Sequence, residues 1–115
     1  MKIIIKATGI ELTPAIEKYV NEKIGSLEKY LKRLDDDAII ARVEVGKTTE
    51  HHNKGKIFRA EVNLSLPCVL LRAEEIHDDL YAAIDLVSDE TKRQIVDFKD
   101  KKITKIVRKA MKTEE

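Results

Sequence analysis

Histidine and cysteine are the side chains of this sequence that could ligate a metal or act as a nucleophile. His51, His52, His77 and Cys68 could together form a metal site, but adjacent histidines on a loop project in divergent directions. No pair of these residues has a zinc-type spacing such as CxxC. Cys68 follows Pro67 in a turn, and no neighbouring pattern supplies a base that would activate its thiol. The sequence therefore favours a polar hairpin tip at His51-His52 and a passive cysteine.

Paired carboxylates are the other groups that could act in catalysis. Glu74-Glu75 and Asp78-Asp79 could form a general acid/base pair, but such residues are also typical of a helix start and of a solvated surface. The four glycines are scattered at positions 9, 25, 46 and 55 and form no phosphate-binding loop. We therefore predict a protein that is not an enzyme and needs no cofactor.

Cationic side chains are concentrated in the last part of the chain. The formal net charge is only +1, yet residues 91–112 contain nine Lys or Arg and two Asp. This basic run includes Lys92, Arg93, Lys99, Lys101 and Lys102, which the two local aspartates cannot all neutralise. Such a surface binds polyanions by releasing counterions, and it recognises phosphate rather than base sequence. A solvated helical face remains the alternative interpretation.

Two further basic groups occur outside this run. The first group lies on the predicted first helix and could extend the basic surface if the two helices lie side by side. Its members are Lys23, Lys29, Lys32 and Arg33. On the predicted outer face of the sheet, Arg42, Arg59 and Arg72 alternate with glutamates. We interpret that face as mainly cross-strand ion pairs.

Hydrophobic periodicity predicts the elements that position these groups. Alternation predicts four strands, at residues 2–8, 39–46, 57–66 and 69–74. Thr13-Pro14 is typical of a helix start, and a stripe at three- and four-residue steps predicts a helix of about six turns, ended by the aspartates at 35–37. That stripe comprises Ile16, Val20, Ile24, Leu27, Leu31 and Leu34. Gly25 interrupts the helix for no reason that the sequence reveals.

A second helix begins after Asp78-Asp79. Its apolar stripe comprises Leu80, Ile84, Val87, Thr91, Ile95 and Phe98, and becomes sparse beyond Phe98. The order β-α-β-β-β-α predicts an α+β two-layer sandwich, in which both helices pack on one face of a four-stranded sheet. The last three strands should be antiparallel, and the first should pair in parallel with one neighbour.

Size and composition favour one small domain in a reducing compartment. The chain of 115 residues fits a single domain, and a single cysteine excludes an internal disulfide. No apolar stretch is long enough for a membrane span or a signal peptide. We therefore expect a cytoplasmic protein with no membrane partner. We also expect no small-molecule substrate, and a monomer when the protein is not bound to its macromolecular partner.

Separated blocks of the sequence lie at residues 12–16, 19–20, 27–30, 58–62, 71–74, 80–85 and 92–95. In their residues and their order these blocks resemble the ribosome hibernation-promoting factor family. The resemblance covers about residues 1–102, and the family fold is β-α-β-β-β-α. The resemblance implies a non-enzymatic factor that occupies the messenger RNA and tRNA channel of the small ribosomal subunit and blocks translation.

The resemblance also implies which residues contact ribosomal RNA. They are Lys92, Arg93, Lys99, Lys101 and Lys102, together with Lys23, Lys29 and Arg33. Residues 1–102 would form the ribosome-binding domain, and residues 103–115 a basic extension that could be a frayed helix. Longer family members carry a second, dimer-forming domain, so we do not expect direct ribosome dimerisation through such a domain here.

Three other functions stay open on the residues alone. A generic double-stranded-RNA module would read A-form shape through 2′-hydroxyls and phosphates. An enzyme would use the carboxylates or Cys68. A protein-interaction module would have no RNA partner at all.

Overall fold

The computed structural model describes residues 1–32, 38–48, 57–67 and 69–113, with side chains in the last helix described as far as Lys101. The described elements are β1 (Lys2–Thr8), α1 (Pro14–Gly25), a 3₁₀ helix (Ser26–Tyr30), β2 (Ile40–Lys47), β3 (Phe58–Leu66), β4 (Val69–His77) and α2 (Leu80–Thr113). The sequence predicts a polar loop at residues 48–55, and all of it except Thr48 lies outside the described residues. The aspartates at 35–37 and the residues Leu34, His51, His52 and Cys68 lie outside them as well.

The four strands form one mixed sheet in the order β1-β2-β3-β4. β1 runs parallel to β2, with Ile3 opposite Ala41. The β2-β3 and β3-β4 pairs are antiparallel. The predicted pairing is therefore confirmed, including the parallel pair that a helical crossover requires.

One face of the sheet and the apolar stripes of both helices form the core. β2 contributes Ala41, Val43 and Val45, and β3 contributes Ala60, Val62 and Leu64. α1 buries Ile16, Val20 and Ile24, while α2 buries Leu80, Ala83, Ile84, Val87 and Ile95. Each fully buried aliphatic side chain contributes about 1.5–3 kcal/mol relative to an exposed one. The predicted α+β class and the two-layer arrangement are confirmed.

The first helix is shorter than predicted. It begins as expected, because the Thr13 hydroxyl accepts a hydrogen bond from the Ile16 amide at 3.2 Å and Pro14 occupies the first turn. The α-helix ends at Gly25, however, and the chain continues as the 3₁₀ helix, so the prediction of six α-helical turns is wrong. A stripe at three- and four-residue steps fits both helix types, and Leu27 and Leu31 stay buried in either.

β4 is longer than the predicted strand at residues 69–74, which already includes Glu74, and it also includes Glu75. It continues to His77 because β3 begins at Phe58, and these two residues lie opposite each other. Glu75 therefore belongs to a strand and not to a helix start. Asp79 does mark the start of α2, since its carboxylate accepts a hydrogen bond from the Tyr81 amide at 3.3 Å.

We predict that Gly25→Ala stabilises the protein. Gly25 has helical backbone angles, with φ −59° and ψ −32°, and a methyl group there would meet nothing within 4 Å. Alanine restricts the unfolded chain and should raise the free energy of unfolding by about 0.5–1 kcal/mol, measured by urea denaturation.

Gly46→Ala is the matched control and should do the opposite. A β-carbon at Gly46 would lie 2.1 Å from the carbonyl oxygen of Thr8 on the paired strand. We expect a loss of at least about 1 kcal/mol from this overpacking. Equal effects of the two substitutions would contradict this account of the two glycines.

Candidate nucleic-acid interface

The burial of one stripe of α2 determines which way its cations point. Ile84, Val87, Thr91 and Ile95 are each at most 2 % exposed. Residues seven apart lie on the same face of an α-helix, so Asp85, Lys92 and Lys99 share one face. This face contacts α1 and the 3₁₀ helix: the three residues reach Lys23, the Tyr30 ring and the Tyr30 carbonyl, respectively. Along it the charge changes from negative to positive.

Three ammonium groups converge on Tyr30. The Lys29 and Lys92 nitrogens lie 5.2 and 5.3 Å from the centroid of its ring. The Lys99 ammonium donates a hydrogen bond to the Tyr30 backbone carbonyl at 2.9 Å, which satisfies an acceptor at the end of the 3₁₀ helix. We call Tyr30, Lys29, Lys92 and Lys99 the Tyr30 cluster.

The Tyr30 cluster is strongly cationic. Across the part of the chain that the structure describes, no carboxylate forms an ion pair with Lys29, Lys92 or Lys99. The nearby Lys92 ammonium, supported by the charge of Lys29, holds the pKa of the Tyr30 phenol below its usual value against the opposing effect of burial. Unpaired cations that face solvent at one place make a local binding surface for an anion.

Arg93, in contrast, is neutralised within α2. Its guanidinium donates to Glu90 at 2.6 Å and to Asp97 at 2.9 Å, one turn away on either side. The hydrogen bonds that Glu90 accepts from Arg93 and from Gln94 lower the pKa of Glu90 to about 2. The two aspartates of residues 91–112 are thus not the only carboxylates that pair with this basic run, because Glu90 lies three residues before Arg93, a spacing that favours pairing on a helix.

Lys23 also has a carboxylate partner. Its ammonium lies 3.4 Å from Asp85 and 5.7 Å from the Tyr19 ring centroid. The Tyr19 hydroxyl donates to the same carboxylate at 2.5 Å, and this bond, together with burial, raises the pKa of Tyr19 to about 12. Lys101 is exposed, while Arg33 and the side chain of Lys102 lie outside the described residues.

The outer face of the sheet carries charges that balance one another. Glu44, Glu61 and Glu74 lie directly opposite one another on β2, β3 and β4, an arrangement that is unfavourable by itself. Arg59 donates hydrogen bonds to all three carboxylates, at 3.0 Å to Glu44 and 3.1 Å to Glu74. The interpretation of this face as cross-strand ion pairs is confirmed at Arg59 and at Arg72, which donates to Glu61 at 3.1 Å.

The described residues contain no group of three or more His, Cys, Asp or Glu side chains that could hold a metal ion. Nδ1 of His77 accepts a hydrogen bond from the Asp79 amide at 3.1 Å, at the start of α2. Within the same part of the chain, no helix is long and apolar enough to cross a membrane.

The sequence of this chain is similar to that of known proteins. A sequence model of the family described as Sigma 54 modulation protein / S30EA ribosomal protein matches residues 3–103. The chain belongs to this family. The predicted family membership is thereby confirmed.

Curated relatives of the family carry a functional name. The chain is 36 % identical over 95 residues to a protein of Deinococcus radiodurans named Ribosome hibernation promotion factor. The aligned stretch covers 83 % of this chain and 47 % of the relative. It is 41 % identical over 106 residues to a protein of the same name from Staphylococcus aureus strain COL, which covers 92 % of this chain and 50 % of the relative. The chain thus spans about half the length of these relatives.

Solved structures of similar proteins agree with the fold. The Thermus thermophilus Protein Y N-terminal domain superimposes with a TM-score of 0.67 at 34 % identity, over 85 % of this chain and 99 % of that one. A ribosomal subunit interface protein from Coxiella burnetii gives 0.65 at 22 % identity, over 87 % and 99 % of the two chains, and so supports the fold alone.

We predict that Arg59→Gln destabilises the protein in a pH-dependent manner. The variant leaves three carboxylates opposite one another, which should lower the free energy of unfolding by about 2–4 kcal/mol at pH 7. Although burial opposes it, hydrogen bonds from Asn63 and Arg72 and the charge of Arg59 hold the pKa of Glu61 below its ordinary value. The ionised Glu61 carboxylate therefore stabilises the fold at pH values above the ordinary pKa of a glutamate, and this stabilisation is lost as the pH falls through the lowered pKa.

The measurement is urea denaturation of wild type and Arg59→Gln at pH 7 and pH 4. The difference should be smaller at pH 4, where protonation relieves the repulsion in the variant. Arg72→Gln is the control, because Arg72 is 64 % exposed and contacts only Glu61 of the three glutamates. It should cost less than about 1 kcal/mol. A loss for Arg59→Gln that is independent of pH would contradict the proposed electrostatic role.

Proposed function

We propose that this chain is a ribosome hibernation factor that binds the small ribosomal subunit in the messenger RNA and tRNA channel and so blocks translation. The Tyr30 cluster carries the proposal, because it presents cations from two separate elements without a carboxylate partner among the described residues. The names of the two curated relatives support the biological setting. Blocking of this kind needs occupancy rather than catalysis, so we propose neither enzymatic activity nor a cofactor.

We further propose that the ribosome-binding unit is residues 1–102, with residues 103–115 as a basic extension. Its RNA contacts would be phosphate contacts made by Lys92, Arg93, Lys99, Lys101, Lys102, Lys23, Lys29 and Arg33. These cations would not contribute equally. A phosphate that binds Arg93 must compete with Glu90 and Asp97, and one that binds Lys23 must compete with Asp85. Lys29 and Lys92 face no such competition from a described carboxylate and should contribute most.

The electrostatic mechanism makes binding strongly salt-dependent. Each phosphate contact releases condensed counterions, so six to ten contacts would lose about 10³–10⁵ in affinity between roughly 50 and 200 mM salt. The contacts read phosphate and not base identity. Selectivity for the ribosome would then come from the shape of the channel and from the relative positions of the cations on α2 and the 3₁₀ helix.

We predict that the double variant Lys29→Gln/Lys92→Gln binds small ribosomal subunits more weakly than wild type. Loss of two phosphate contacts should reduce the slope of log affinity against log salt concentration by about 1.4–1.8. The measurement is sucrose-gradient co-sedimentation at several salt concentrations, together with inhibition of a purified translation system.

The matched control is Lys6→Gln/Lys18→Gln, which removes the same charge from two exposed lysines on β1 and α1. It should retain nearly the wild-type slope and inhibition. Equal weakening by both double variants would mean that net charge, and not the Tyr30 cluster, determines binding. Equal wild-type affinity for ribosomes and for an RNA duplex of matched length would instead support a generic double-stranded-RNA module.

A further inference from the structure

The ring of Tyr30 has two lysine ammonium groups close to it, and these like charges repel each other. The two ammonium groups come from different elements, yet both lie close to the same ring, at 5.2 and 5.3 Å from its centroid. Cation–π attraction offsets part of the repulsion between them. A bound anion would offset the rest and would gain from both charges at once.

A second tyrosine of the chain, Tyr19, has both a lysine near its ring and an anion in contact with the two side chains. Tyr19 has a lysine near its ring, Lys23, and both donate to or pair with the carboxylate of Asp85. Tyrosine, lysine and anion thus form a complete group there. At Tyr30 the tyrosine and two lysines are present, and the described residues contribute no carboxylate. A phosphate from another molecule would complete the second group in the same way.

On these observations we propose that Tyr30, Lys29 and Lys92 form one discrete binding site for a phosphate group. Under the proposed function, on which this inference rests, that group is a phosphodiester of ribosomal RNA. Lys29 and Lys92 supply the charge, and the phenol supplies a directional donor. Lys99 is a positioning residue, because its bond to the Tyr30 carbonyl holds the end of the 3₁₀ helix against α2.

The chemistry of the phenol fits this role. Among the described residues no acceptor takes the hydrogen of the Tyr30 hydroxyl, so this hydrogen is available to donate to a ligand beside the Lys29 and Lys92 ammonium groups. A phenol whose pKa is lowered in this way is a stronger hydrogen-bond donor to an anion. Three donors from three side chains suit a phosphate, which offers several acceptor oxygens in different directions.

The test compares Tyr30→Phe with Tyr19→Phe. Tyr30→Phe keeps the ring that contacts both lysines and removes only the donor, so it should weaken binding to small ribosomal subunits by about 3- to 10-fold. It removes no charge, so the salt slope should stay at the wild-type value, whereas Lys29→Gln should lower the slope by about 0.7–0.9. Tyr19→Phe should leave the affinity unchanged. Urea denaturation checks that each variant is folded.

A second arm distinguishes an RNA phosphate from a free phosphate. Inorganic phosphate is titrated into the isolated protein, and the ring resonances of Tyr30 and Tyr19 are followed by NMR. We expect saturable shifts at Tyr30 alone, which a short RNA duplex reproduces at lower concentration. Shifts with inorganic phosphate but none with RNA would overturn the assignment to an RNA phosphodiester.

The inference and the proposed function can fail separately. Wild-type ribosome affinity in Tyr30→Phe, Lys29→Gln and Lys92→Gln would overturn the phosphate site while ribosome binding stands. Saturable phosphate shifts at Tyr30 in a protein that does not sediment with ribosomes would overturn the proposed function and keep the site. An equal loss in Tyr30→Phe and Tyr19→Phe would overturn the specific role of Tyr30.

Discussion

The packing of α2 on the sheet is the constraint on which the charged surface depends. Ile84, Val87 and Ile95 must be buried, and this fixes the rotation of the helix about its axis. Once the rotation is fixed, the face of α2 that carries Asp85, Lys92 and Lys99 points at α1 and the 3₁₀ helix. The Ser88 hydroxyl donates to the Lys23 carbonyl at 3.3 Å, and the Lys99 ammonium donates to the Tyr30 carbonyl, so α2 contacts both segments through side chains.

Charge balance, more than the number of cations, separates the surfaces of this protein. The outer face of the sheet contains Arg59 and Arg72, but both arginines form ion pairs with glutamates of the same face. Arg93 is occupied in the same way by its own helix. The Tyr30 cluster differs because its lysines contact an aromatic ring and a backbone carbonyl, which leave their charge intact. Within the described parts of the chain no carboxylate pairs with these lysines, so a polyanion would meet uncompensated charge there.

Local patterns predicted most of the fold. β1 has the predicted limits because alternation with β-branched residues is unambiguous, and Thr13-Pro14 marks the start of α1 by a local capping mechanism. The 3₁₀ helix was missed because Leu27 and Leu31 are buried under either helical geometry. The end of β4 was missed because it depends on pairing with Phe58, which lies 19 positions away in the sequence.

The candidate site was predictable only in part. The basic run on α2 is visible in the sequence, and the pairing of Arg93 with Glu90 follows from a spacing of three residues. The meeting of Lys99 with Tyr30 joins residues 69 positions apart, and no local pattern encodes it. The position of Tyr30 beside the apolar stripe is typical of a residue at the edge of the core and does not indicate a contact with a lysine of α2. Tertiary packing decides which of the many cations share a location.

A cryo-electron microscopy map of this chain bound to the small ribosomal subunit would show directly whether the Tyr30 cluster contacts ribosomal RNA. We expect density in the messenger RNA and tRNA channel, with α2 and the 3₁₀ helix against ribosomal RNA and a phosphate within hydrogen-bonding distance of Lys29, Lys92 or Tyr30. A map in which the outer face of the sheet contacts the RNA, and the Tyr30 cluster faces solvent, would contradict it.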